Sequence, residues 1–368
     1  MDDMNTMKSV VLKKPYSVGV ERRKIPVISD VNDVVIRTLF AGICGSDLHI
    51  YSGSIHVPSV ALGHESVGII EEVGEGVRSL AKGDLVVIPF DIGCGFCDYC
   101  RIGETAFCET SNSGKCGHEY SGGDITGAQS EFLRVPYADF NVLKVKDLGT
   151  RNIDYIFLSD NLSTGWNAVV ETGLQPGDSI VIFGAGSVGL LSAYSSKLLG
   201  ASRVFIVDSD KNRLKKAEEI GIIPIDYKNE NVLETILNEN EGALVDRGID
   251  AVGRASLVQK GSSYSSIVID QLLELVKNKG SIYLAGVYPI DLNLILPFSK
   301  IYFKGIKINS GKTSVHKYYR SLLRLIETGA VSPSHVVQPT IINIDDAPEA
   351  YIDFYNHKGN LTKPVIRL

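Results

Sequence analysis

The order of apolar and polar positions divides the chain into regions of different character. Between residues 8 and 90, short apolar runs alternate with Gly, Pro and Asp, as in SVVLKK, DVVIRTLF, SVGIIEEVG and DLVVIPF. Short β-rich runs separated by turn residues predict a barrel-like β domain. Residues 91–116 show no period and are expected to form a loop. Residues 117–150 return to strands with AQSEFLRVP and NVLKV.

From residue 179 onward, apolar runs alternate with helical patterns. SIVIFGAG and RVFIVD are typical of buried strands, whereas VGLLSAYSSKLLG and KNRLKKAEEIG have the spacing of helices. RGIDAVG and GSIYLAGVY predict later strands, and VHKYYRSLLRLIETG predicts a further helix. This alternation predicts a parallel sheet with crossover helices. The alternating segment YFKGIKINS (302–310) predicts an edge strand late in that sheet.

Composition narrows the class of protein. A chain of 368 residues favours two domains, and 44% apolar with 22% charged residues is typical of globular proteins. A net charge of −6 without a Lys/Arg run argues against a nucleic-acid partner. The uncharged stretch 179–196 is rich in Gly and Ser and marginal in length for a membrane span, and the first residues do not resemble a signal peptide. We therefore expect a soluble cytoplasmic protein without a membrane partner.

A glycine-rich turn follows the strand SIVIF. Gly184, Gly186 and Gly189 form the pattern G-x-G-x-x-G, with Val188 inside it, and Asp208 ends the next predicted strand at about the 20-residue interval that the pattern expects. Glycines at these positions permit a tight turn, close approach of a pyrophosphate and packing of the helix on the sheet. Incidental glycines in an ordinary strand–helix turn are the alternative. The context favours a dinucleotide site.

The charge of Asp208 bears on which dinucleotide binds. Its carboxylate can accept hydrogen bonds from the hydroxyls of the adenosine ribose, whereas a 2′-phosphate would meet a like charge. The sequence therefore favours NAD over NADP.

Four of the six cysteines lie in DIGCGFCDYCRIGETAFC, with the spacing C-x₂-C-x₂-C-x₇-C. Four thiolates from one loop can close a tetrahedron around zinc and leave no position for a substrate, so the expected role is structural. Free thiols or two disulfides are the alternatives, and clustered cysteines in a reducing compartment favour metal. The proposed ligands are Cys94, Cys97, Cys100 and Cys108. Cys116 is left unassigned.

A second constellation lies upstream, where AGICGSDLHIYSG contains Cys44, Ser46, Asp47 and His49 and ALGHESVG contains His64 and Glu65. With these motifs the chain resembles the zinc-dependent alcohol dehydrogenases of the medium-chain dehydrogenase/reductase superfamily. The resemblance covers nearly the whole chain and includes the four-cysteine loop, GAQSEFLRVP and the glycine-rich turn.

The resemblance narrows at two segments, VPYADFN (135–141) and LSDNLSTGW (158–166). Both are similar to the branch that includes glutathione-independent formaldehyde dehydrogenases. The family's ligand positions then imply a catalytic zinc held by Cys44, His64 and Asp160, with an open fourth position as a catalytic zinc requires. Asp160 stands where many relatives have a cysteine, and the alternative is that it caps the helix that follows.

The resemblance also implies the remaining roles. Zinc lowers the pKa of the bound alcohol and NAD takes the hydride. Ser46 is placed to receive the proton, which passes by way of the cofactor ribose towards His49. Asp47 orients His64, and Glu65 is a carboxylate beside the zinc. Gly117-His118-Glu119 repeats the triplet that contains His64, and we interpret His118 as a loop residue.

The substrate is left open by the sequence. Asp160 favours small alcohols or aldehydes such as formaldehyde, and Phe90 is expected to narrow the pocket by resemblance. The segment 254–270 departs from the cofactor-covering loop of the formaldehyde dehydrogenases, which argues against tight cofactor retention and dismutation. A polyol or secondary-alcohol dehydrogenase is the alternative, and a non-catalytic NAD-binding protein of this fold is a more remote one. A zinc-free quinone reductase would lack Cys44, His64 and the four-cysteine loop.

The expected architecture is α/β with two domains. Residues 1–156 and 312–368 form a GroES-like, partly closed β-barrel that carries the zinc sites, and residues 157–311 form a Rossmann domain with a doubly wound parallel sheet. The expected cofactors are NAD and two zinc ions per subunit, one catalytic and one structural. By resemblance the protein is a homodimer or homotetramer, with 302–310 pairing across subunits.

Overall fold

Two structural units divide the chain, one made of residues 1–163 with 314–368 and the other of residues 164–313. The computed structural model describes residues 5–54, 61–111, 127–289, 292–356 and 361–368. Cys116 and His118 lie outside the described residues, so the interpretations of both stay predictions.

The first unit is built mainly from antiparallel strands. Its sheet has the order β16-β17-β3-β4-β5-β7, with β6 also paired to β3, and a separate hairpin of β1 and β2 is joined to it by isolated bridges. The elements of this unit are β1 (Thr6–Lys14), β2 (Ser17–Lys24), β3 (Val34–Gly42), α1 (Asp47–Tyr51), β4 (Ser66–Val73), β5 (Leu85–Ile88), α2 (Asp98–Arg101), β6 (Phe132–Val135), α3 (Ala138–Asn141), β7 (Leu143–Lys144), α4 (Tyr155–Ser159), α11 (Tyr319–Glu327), α12 (Pro333–Val337), β16 (Thr340–Asn343), α13 (Ala347–Tyr355) and β17 (Pro364–Arg367).

Buried apolar side chains that pair across neighbouring strands hold this sheet together. Ile36 of β3 lies opposite Ile70 of β4 on one side and Leu133 of β6 on the other, and all three are fully buried. Such cross-strand pairs stabilise a sheet and set its register. The prediction of short strands is confirmed here, although NVLKV yields only the two-residue β7. The segment 91–111, expected to be a loop, contains the single-turn helix α2.

The second unit is a six-stranded parallel sheet of order β10-β9-β8-β11-β14-β15 with crossover helices. Its elements are α5 (Asn161–Glu171), which begins at the end of the first unit, β8 (Ser179–Phe183), α6 (Ser187–Leu198), β9 (Arg203–Asp208), α7 (Lys211–Glu219), β10 (Ile223–Asp226), α8 (Val232–Glu239), β11 (Val245–Asp250), β12 (Leu257–Lys260), β13 (Ser263–Ser266), α9 (Ile267–Leu275), β14 (Val276–Leu284), α10 (Phe298–Lys304) and β15 (Lys307–Ser310).

This strand order confirms the predicted doubly wound sheet. The chain leaves β8 towards β9 and β10 on one side and later returns to β11 on the other, so the glycine-rich turn after β8 lies at the switch point of the topology. Val181, Phe205, Ile225 and Ile282 are buried side chains of four different strands and pack in one core. Burial on both faces explains why β8 and β9 read as continuous apolar runs.

Two late segments differ from a simple strand–helix alternation. The prediction of a strand over 302–310 is wrong for its first part, because Tyr302–Lys304 form the last turn of α10, which ends at the left-handed Gly305. Only Lys307–Ser310 form the edge strand β15. The segment 254–270 contains the antiparallel hairpin of β12 and β13. Within the described residues, no helix is long and apolar enough to cross a membrane.

Candidate active site

Cys44 lies just beyond the carboxyl end of β3. Its backbone N–H donates to Oδ2 of Asp47 at 2.9 Å, and its carbonyl accepts from the N–H of Asp47 at 3.1 Å. These reciprocal hydrogen bonds form a tight turn that begins α1. The spacing Cys44-x-x-Asp47 therefore places the thiol and a buried carboxylate at one fixed turn.

His64 is fixed by the residues on both sides of it. Gly63 has a φ of +96° and packs so closely on Gln129 that a Cβ would overlap the Gln129 side chain and backbone, so only glycine fits. Nδ1 of His64 lies 3.2 Å from Oδ1 of Asp47. An ionised carboxylate only accepts hydrogen bonds, so Nδ1 carries the proton and the other ring nitrogen, Nε2, is left to face Cys44 and Asp160.

Asp160 lies between α4 and α5, far from the other two residues in sequence. Its Oδ2 is 3.4 Å from Sγ of Cys44 and 3.2 Å from Nε2 of His64. The preceding Ser159 joins the end of α4 to the sheet, because its hydroxyl donates to the carbonyl of Ile88 and accepts from the N–H of Ser66. The structure therefore brings together the three residues that were predicted as ligands of the catalytic zinc.

The chemistry of this cluster fits a divalent metal ion. One ligand atom each from Cys44, His64, Asp160 and Glu65 lie within 4.8 Å of one another, and all four residues are buried. Bonds to zinc of about 2.0–2.3 Å are compatible with one ion among such atoms. Burial lowers the pKa of His64, but the carboxylates of Asp47 and Asp160 outweigh it and raise this pKa well above its usual value. The carboxylates around His64 therefore favour a positive charge at this site, and a bound metal ion can supply it in place of a proton on the imidazole.

Glu65 lies beside this group of three and forms a buried ion pair with Lys363. The ammonium of Lys363, fully buried just before β17, donates to the Glu65 carboxylate at 2.5 Å, and Nδ2 of Asn161 donates to Oε1 at 3.0 Å. Burial lowers the pKa of Lys363, but Glu65, Cys44 and Asp160 more than offset this and raise it. Sequence reasoning missed Lys363, because a single Lys near the end of the chain carries no motif.

Two further residues of the predicted constellation lie on or before α1. The Ser46 hydroxyl is 3.4 Å from Nε2 of His64, and the backbone N–H of His49 donates to the carbonyl of Ser46 at 3.2 Å. Both side chains are half-buried. The ring of Phe90 meets the His64 imidazole edge to face, with centroids 6.1 Å apart, and forms an apolar wall beside it.

The four clustered cysteines form a second candidate metal centre. Their sulfur atoms lie within 4.8 Å of one another, with 4.0 Å from Cys94 to Cys100 and from Cys97 to Cys108. Bonds of about 2.3 Å to a tetrahedral zinc would separate the sulfurs by about 3.8 Å. No disulfide joins the described cysteines. This arrangement fits a closed, four-coordinate zinc.

Backbone N–H groups prepare two of these thiols, Cys94 and Cys108, for a metal. The N–H groups of Phe96 and Cys97 donate to Sγ of Cys94, and those of Cys94 and Ser111 donate to Sγ of Cys108. Burial raises the pKa of Cys94, but hydrogen bonds from Thr110, Phe96 and Cys97 outweigh it and lower this pKa to about 6. A thiolate is the form that binds zinc.

The glycine-rich turn after β8 offers an unobstructed helix end. Gly184 has a φ of +94°, and its carbonyl would overlap a Cβ on Gly189, so these two glycines let α6 pack against the sheet. Gly186 is the residue before α6, and no side chain caps the helix there. A Cβ on Gly186 would meet nothing within 4 Å. The space in front of the helix, with Val188 partly exposed in its first turn, therefore fits a phosphate group.

Asp208 ends β9 next to this turn. Its Oδ2 accepts from the N–H of Ala185 at 2.7 Å, and its Oδ1 accepts from the N–H groups of Ser209 at 2.6 Å and Asp210 at 2.9 Å. The half-buried carboxylate therefore holds the turn in place. It also brings a negative charge to the edge of the sheet where the predicted ribose would lie.

Comparisons with known proteins agree with this geometry. Residues 30–147 match the family model described as an alcohol dehydrogenase GroES-like domain, and residues 187–328 match the one described as a zinc-binding dehydrogenase. The chain is 33% identical to the glutathione-independent formaldehyde dehydrogenase of Pseudomonas aeruginosa over 95% of both chains. It is also 33% identical to the formaldehyde dismutase of Pseudomonas putida, over 98% of this chain and 97% of that protein.

A solved structure extends the likeness to the fold. The alcohol dehydrogenase TADH from Thermus sp. ATN1 aligns with a TM-score of 0.84 and 32% identity, over 98% of this chain and 99% of that one. These matches cover both structural units and confirm the predicted fold class. The chain therefore belongs to the zinc-dependent alcohol dehydrogenase family of the medium-chain dehydrogenase/reductase superfamily, as its motifs predicted.

Proposed function

We propose that this chain transfers a hydride between a small alcohol or aldehyde and NAD, with a catalytic zinc held by Cys44, His64 and Asp160. The observation that carries the proposal is that a thiol and an imidazole both lie within 3.4 Å of one carboxylate oxygen in a buried site. Sulfur, nitrogen and oxygen ligands with three protein positions are typical of catalytic zinc, which keeps a fourth position for substrate.

When bound, zinc polarises the substrate oxygen and the nicotinamide exchanges the hydride. The side chains around them then move the proton. The Ser46 hydroxyl lies beside Nε2 of His64, where it can accept the proton of an alcohol. His49 follows one turn later on α1, is half-buried, and can pass that proton to solvent. Phe90 excludes water from one side of the reacting atoms.

Two buried carboxylates have separate positioning roles in this proposal. Asp47 holds the Nδ1 proton of His64 and thereby leaves Nε2 for the metal. Glu65 is paired with Lys363 and Asn161, and its Oε1 is 3.9 Å from Nε2 of His64. The ion pair with Lys363 engages the Glu65 carboxylate, which therefore does not compete with Asp160 as a ligand of the metal.

The proposed substrate class is a small alcohol or aldehyde. The proteins similar over nearly the whole chain include a formaldehyde dehydrogenase and a formaldehyde dismutase, and the Phe90 ring lies against His64, where it would leave room for a small substrate. The segment 254–270 forms the β12–β13 hairpin where the sequence departs from the cofactor-covering loop of that branch. We therefore propose a dehydrogenase that releases NADH rather than a dismutase that retains it.

In this proposal the second structural unit binds NAD and the first carries both zinc ions. The pyrophosphate would lie at the N-terminus of α6, against Gly186 and Val188, and Asp208 would accept from the adenosine ribose. Cys94, Cys97, Cys100 and Cys108 would hold the structural zinc. Thiols kept for metal rather than disulfides accord with a cytoplasmic location.

The second unit also presents a surface that supports a homo-oligomer. Strand β15 is the last strand of its sheet, and neighbouring α10 exposes three aromatic side chains, Phe298, Tyr302 and Phe303, with relative exposures of 71%, 69% and 82%. Exposed edges and large apolar patches are uncommon on monomers. We propose that two copies associate through this surface by two-fold symmetry.

Activity assays test the proposed reaction. With zinc and saturating NAD, we expect NADH to appear in a panel of formaldehyde, primary alcohols, secondary alcohols and polyols, with the highest kcat/KM for a substrate of one to three carbons. NADH absorbance at 340 nm is the measurement. Highest activity with a polyol or secondary alcohol would replace the proposed substrate class, and no turnover by zinc-loaded protein would favour a non-catalytic binding protein.

A reciprocal pair of variants separates the two zinc sites. Asp160→Ala should lower zinc content from two ions to one and lower kcat by at least about a thousandfold, with little change in melting temperature, because several kcal/mol of charge stabilisation are lost. Cys97→Ser should also lose one zinc, but a loss of about 3 kcal/mol would lower the melting temperature by roughly 6–12 °C while the folded fraction stays active.

Metal analysis, calorimetry and initial rates measure these effects. Cys116→Ser removes a thiol outside the four-cysteine spacing and serves as the control. If Asp160→Ala kept two zinc ions, Asp160 would not be a ligand. If Cys97→Ser were as stable as the parent, the structural role of the second ion would be refuted.

The choice of cofactor is tested at Asp208. Asp208→Asn should weaken NADH binding by about tenfold or more and strengthen NADPH binding, because a charged acceptor for the ribose is removed together with the repulsion of a 2′-phosphate. Nucleotide fluorescence titrations give both dissociation constants. Asp226→Asn, at the end of the adjacent strand β10, is the matched control. An unchanged preference would contradict the ribose role.

The oligomeric state is tested by sedimentation equilibrium. We expect at least twice the 40.0 kDa mass of one chain, and we expect Phe303→Asp with Tyr302→Lys to shift the mass to that of a monomer. A monomeric parent protein would exclude the proposed association.

A further inference from the structure

A buried polar side chain, that of Gln129, lies behind the candidate metal site and is hydrogen-bonded to Asp47. Gln129 precedes β6 and is fully buried. Its Nε2 donates to the carbonyl of Gly42 at 3.0 Å and to Oδ2 of Asp47 at 3.3 Å. Its Oε1 accepts from the hydroxyl of Tyr351, on α13, at 3.0 Å. A chain of buried hydrogen bonds therefore runs from α13 to Asp47.

In this series of hydrogen bonds from Tyr351 to Asp47, the chemistry of each group determines which partner donates. A backbone carbonyl can only accept, so the atom of Gln129 that faces Gly42 must be the amide nitrogen. That nitrogen also faces the acceptor Asp47. The amide oxygen must then face Tyr351, whose hydroxyl must donate. At the other end, the Asp47 carboxylate accepts from Nδ1 of His64, 3.2 Å away.

The Tyr351 hydroxyl is suited to remain a donor. Burial, and then the charge of Asp47, raise the pKa of Tyr351 well above its usual value, so the hydroxyl keeps its proton. The ring is held by packing, since it is fully buried and lies 5.6 Å from the ring of Tyr51 on α1. Gln129 itself packs closely on Gly63, the residue before His64.

We propose that Gln129 and Tyr351 are positioning residues for the metal site, which set the orientation of Asp47 and, through it, the tautomer of His64. This inference rests on the proposed function, because it assumes that Nε2 of His64 binds zinc. Without the Tyr351 hydroxyl, the amide of Gln129 loses the donor that favours its present orientation. Among the described residues, the amide is then held only through Gly42 and Asp47, and a less constrained amide weakens the hold of Asp47 on Nδ1 of His64.

Release of zinc from the holoprotein to a coloured chelator tests this proposal without an activity assay. The parent protein should release zinc in two phases, and the phase that Cys97→Ser alters belongs to the four-cysteine site. Tyr351→Phe should accelerate the other phase by about tenfold, and Gln129→Met, which keeps the side-chain volume, by about 10–100-fold, as removal of a partner behind a ligand typically does. The four-cysteine phase is an internal reference and should not change.

The matched control is Tyr155→Phe. Tyr155 is also fully buried in the first unit, and its hydroxyl donates to the carbonyl of Lys146 at 2.9 Å. It should lose similar stability to Tyr351→Phe and leave both phases unchanged. Because Tyr351 acts through Gln129, the double variant should release zinc no faster than Gln129→Met alone.

Three outcomes would overturn the inference. One is zinc release from Tyr351→Phe within twofold of the parent, and another is equal acceleration in Tyr155→Phe, which would mean that general loosening is the cause. Additive effects in the double variant would show that Tyr351 does not act through Gln129. A parent protein that holds only the four-cysteine zinc would instead refute the proposed function, and this inference with it.

Discussion

Concentrated negative charge in a buried space is the constraint on which the first unit depends. Around the His64 imidazole lie four buried residues that can carry negative charge, Cys44, Asp47, Glu65 and Asp160. Removing such groups from water is costly unless cations or hydrogen-bond donors accompany them. In the part of the chain that the structure describes, Lys363 supplies a permanent cation beside Glu65, and the remaining charge of the cluster fits a metal ion. The surrounding fold can be understood as the means of supplying these partners.

The scaffold meets this constraint with residues from distant parts of the chain. Cys44 follows β3, His64 precedes β4, and Asp160 follows α4, so three separate elements end at one point. Ser159 joins the end of α4 to β4 and β5 by hydrogen bonds. Outside this group, Asp47, Gln129 and Tyr351 form a second layer in which each donor faces an acceptor. A fully satisfied polar network is rigid, and rigidity of this kind keeps ligands in place for a metal.

The two other sites use the backbone rather than side-chain charge. Among the four cysteines, backbone N–H groups point at the sulfurs of Cys94 and Cys108 and favour the thiolate form of these two. At the start of α6, uncapped N–H groups and the end of the helix dipole face the space before Gly186. Both arrangements depend on glycine or on tight turns, because side chains at these positions would keep the backbone N–H groups from approaching the sulfur atoms or the phosphate. Local geometry of this kind is encoded over a few residues.

The catalytic cluster joins residues far apart in the sequence, whereas the other two sites are formed by neighbouring residues. This difference in sequence separation explains what could be predicted from the sequence. The strand-rich first unit, the alternating second unit, the four-cysteine motif and the dinucleotide motif were predicted from patterns that each span about 25 residues or fewer, because periodicity and ligand spacing are local properties. The family and the ligand Asp160 were instead predicted from a resemblance that covers nearly the whole chain. The strand expected over 302–310 was wrong in its first part, since Gly305 ends a helix there and the apolar alternation alone does not distinguish the two.

Only the tertiary structure decided which distant side chains meet. Lys363 lies next to Glu65 although the two are separated by most of the chain, and Tyr351 reaches Asp47 through Gln129 across three elements. No local spacing announces a lone Lys, Gln or Tyr as part of a site. Their positions depend on how β17, β6 and α13 pack against β3 and α1, and that packing is set by the summed burial of many apolar side chains rather than by any short motif.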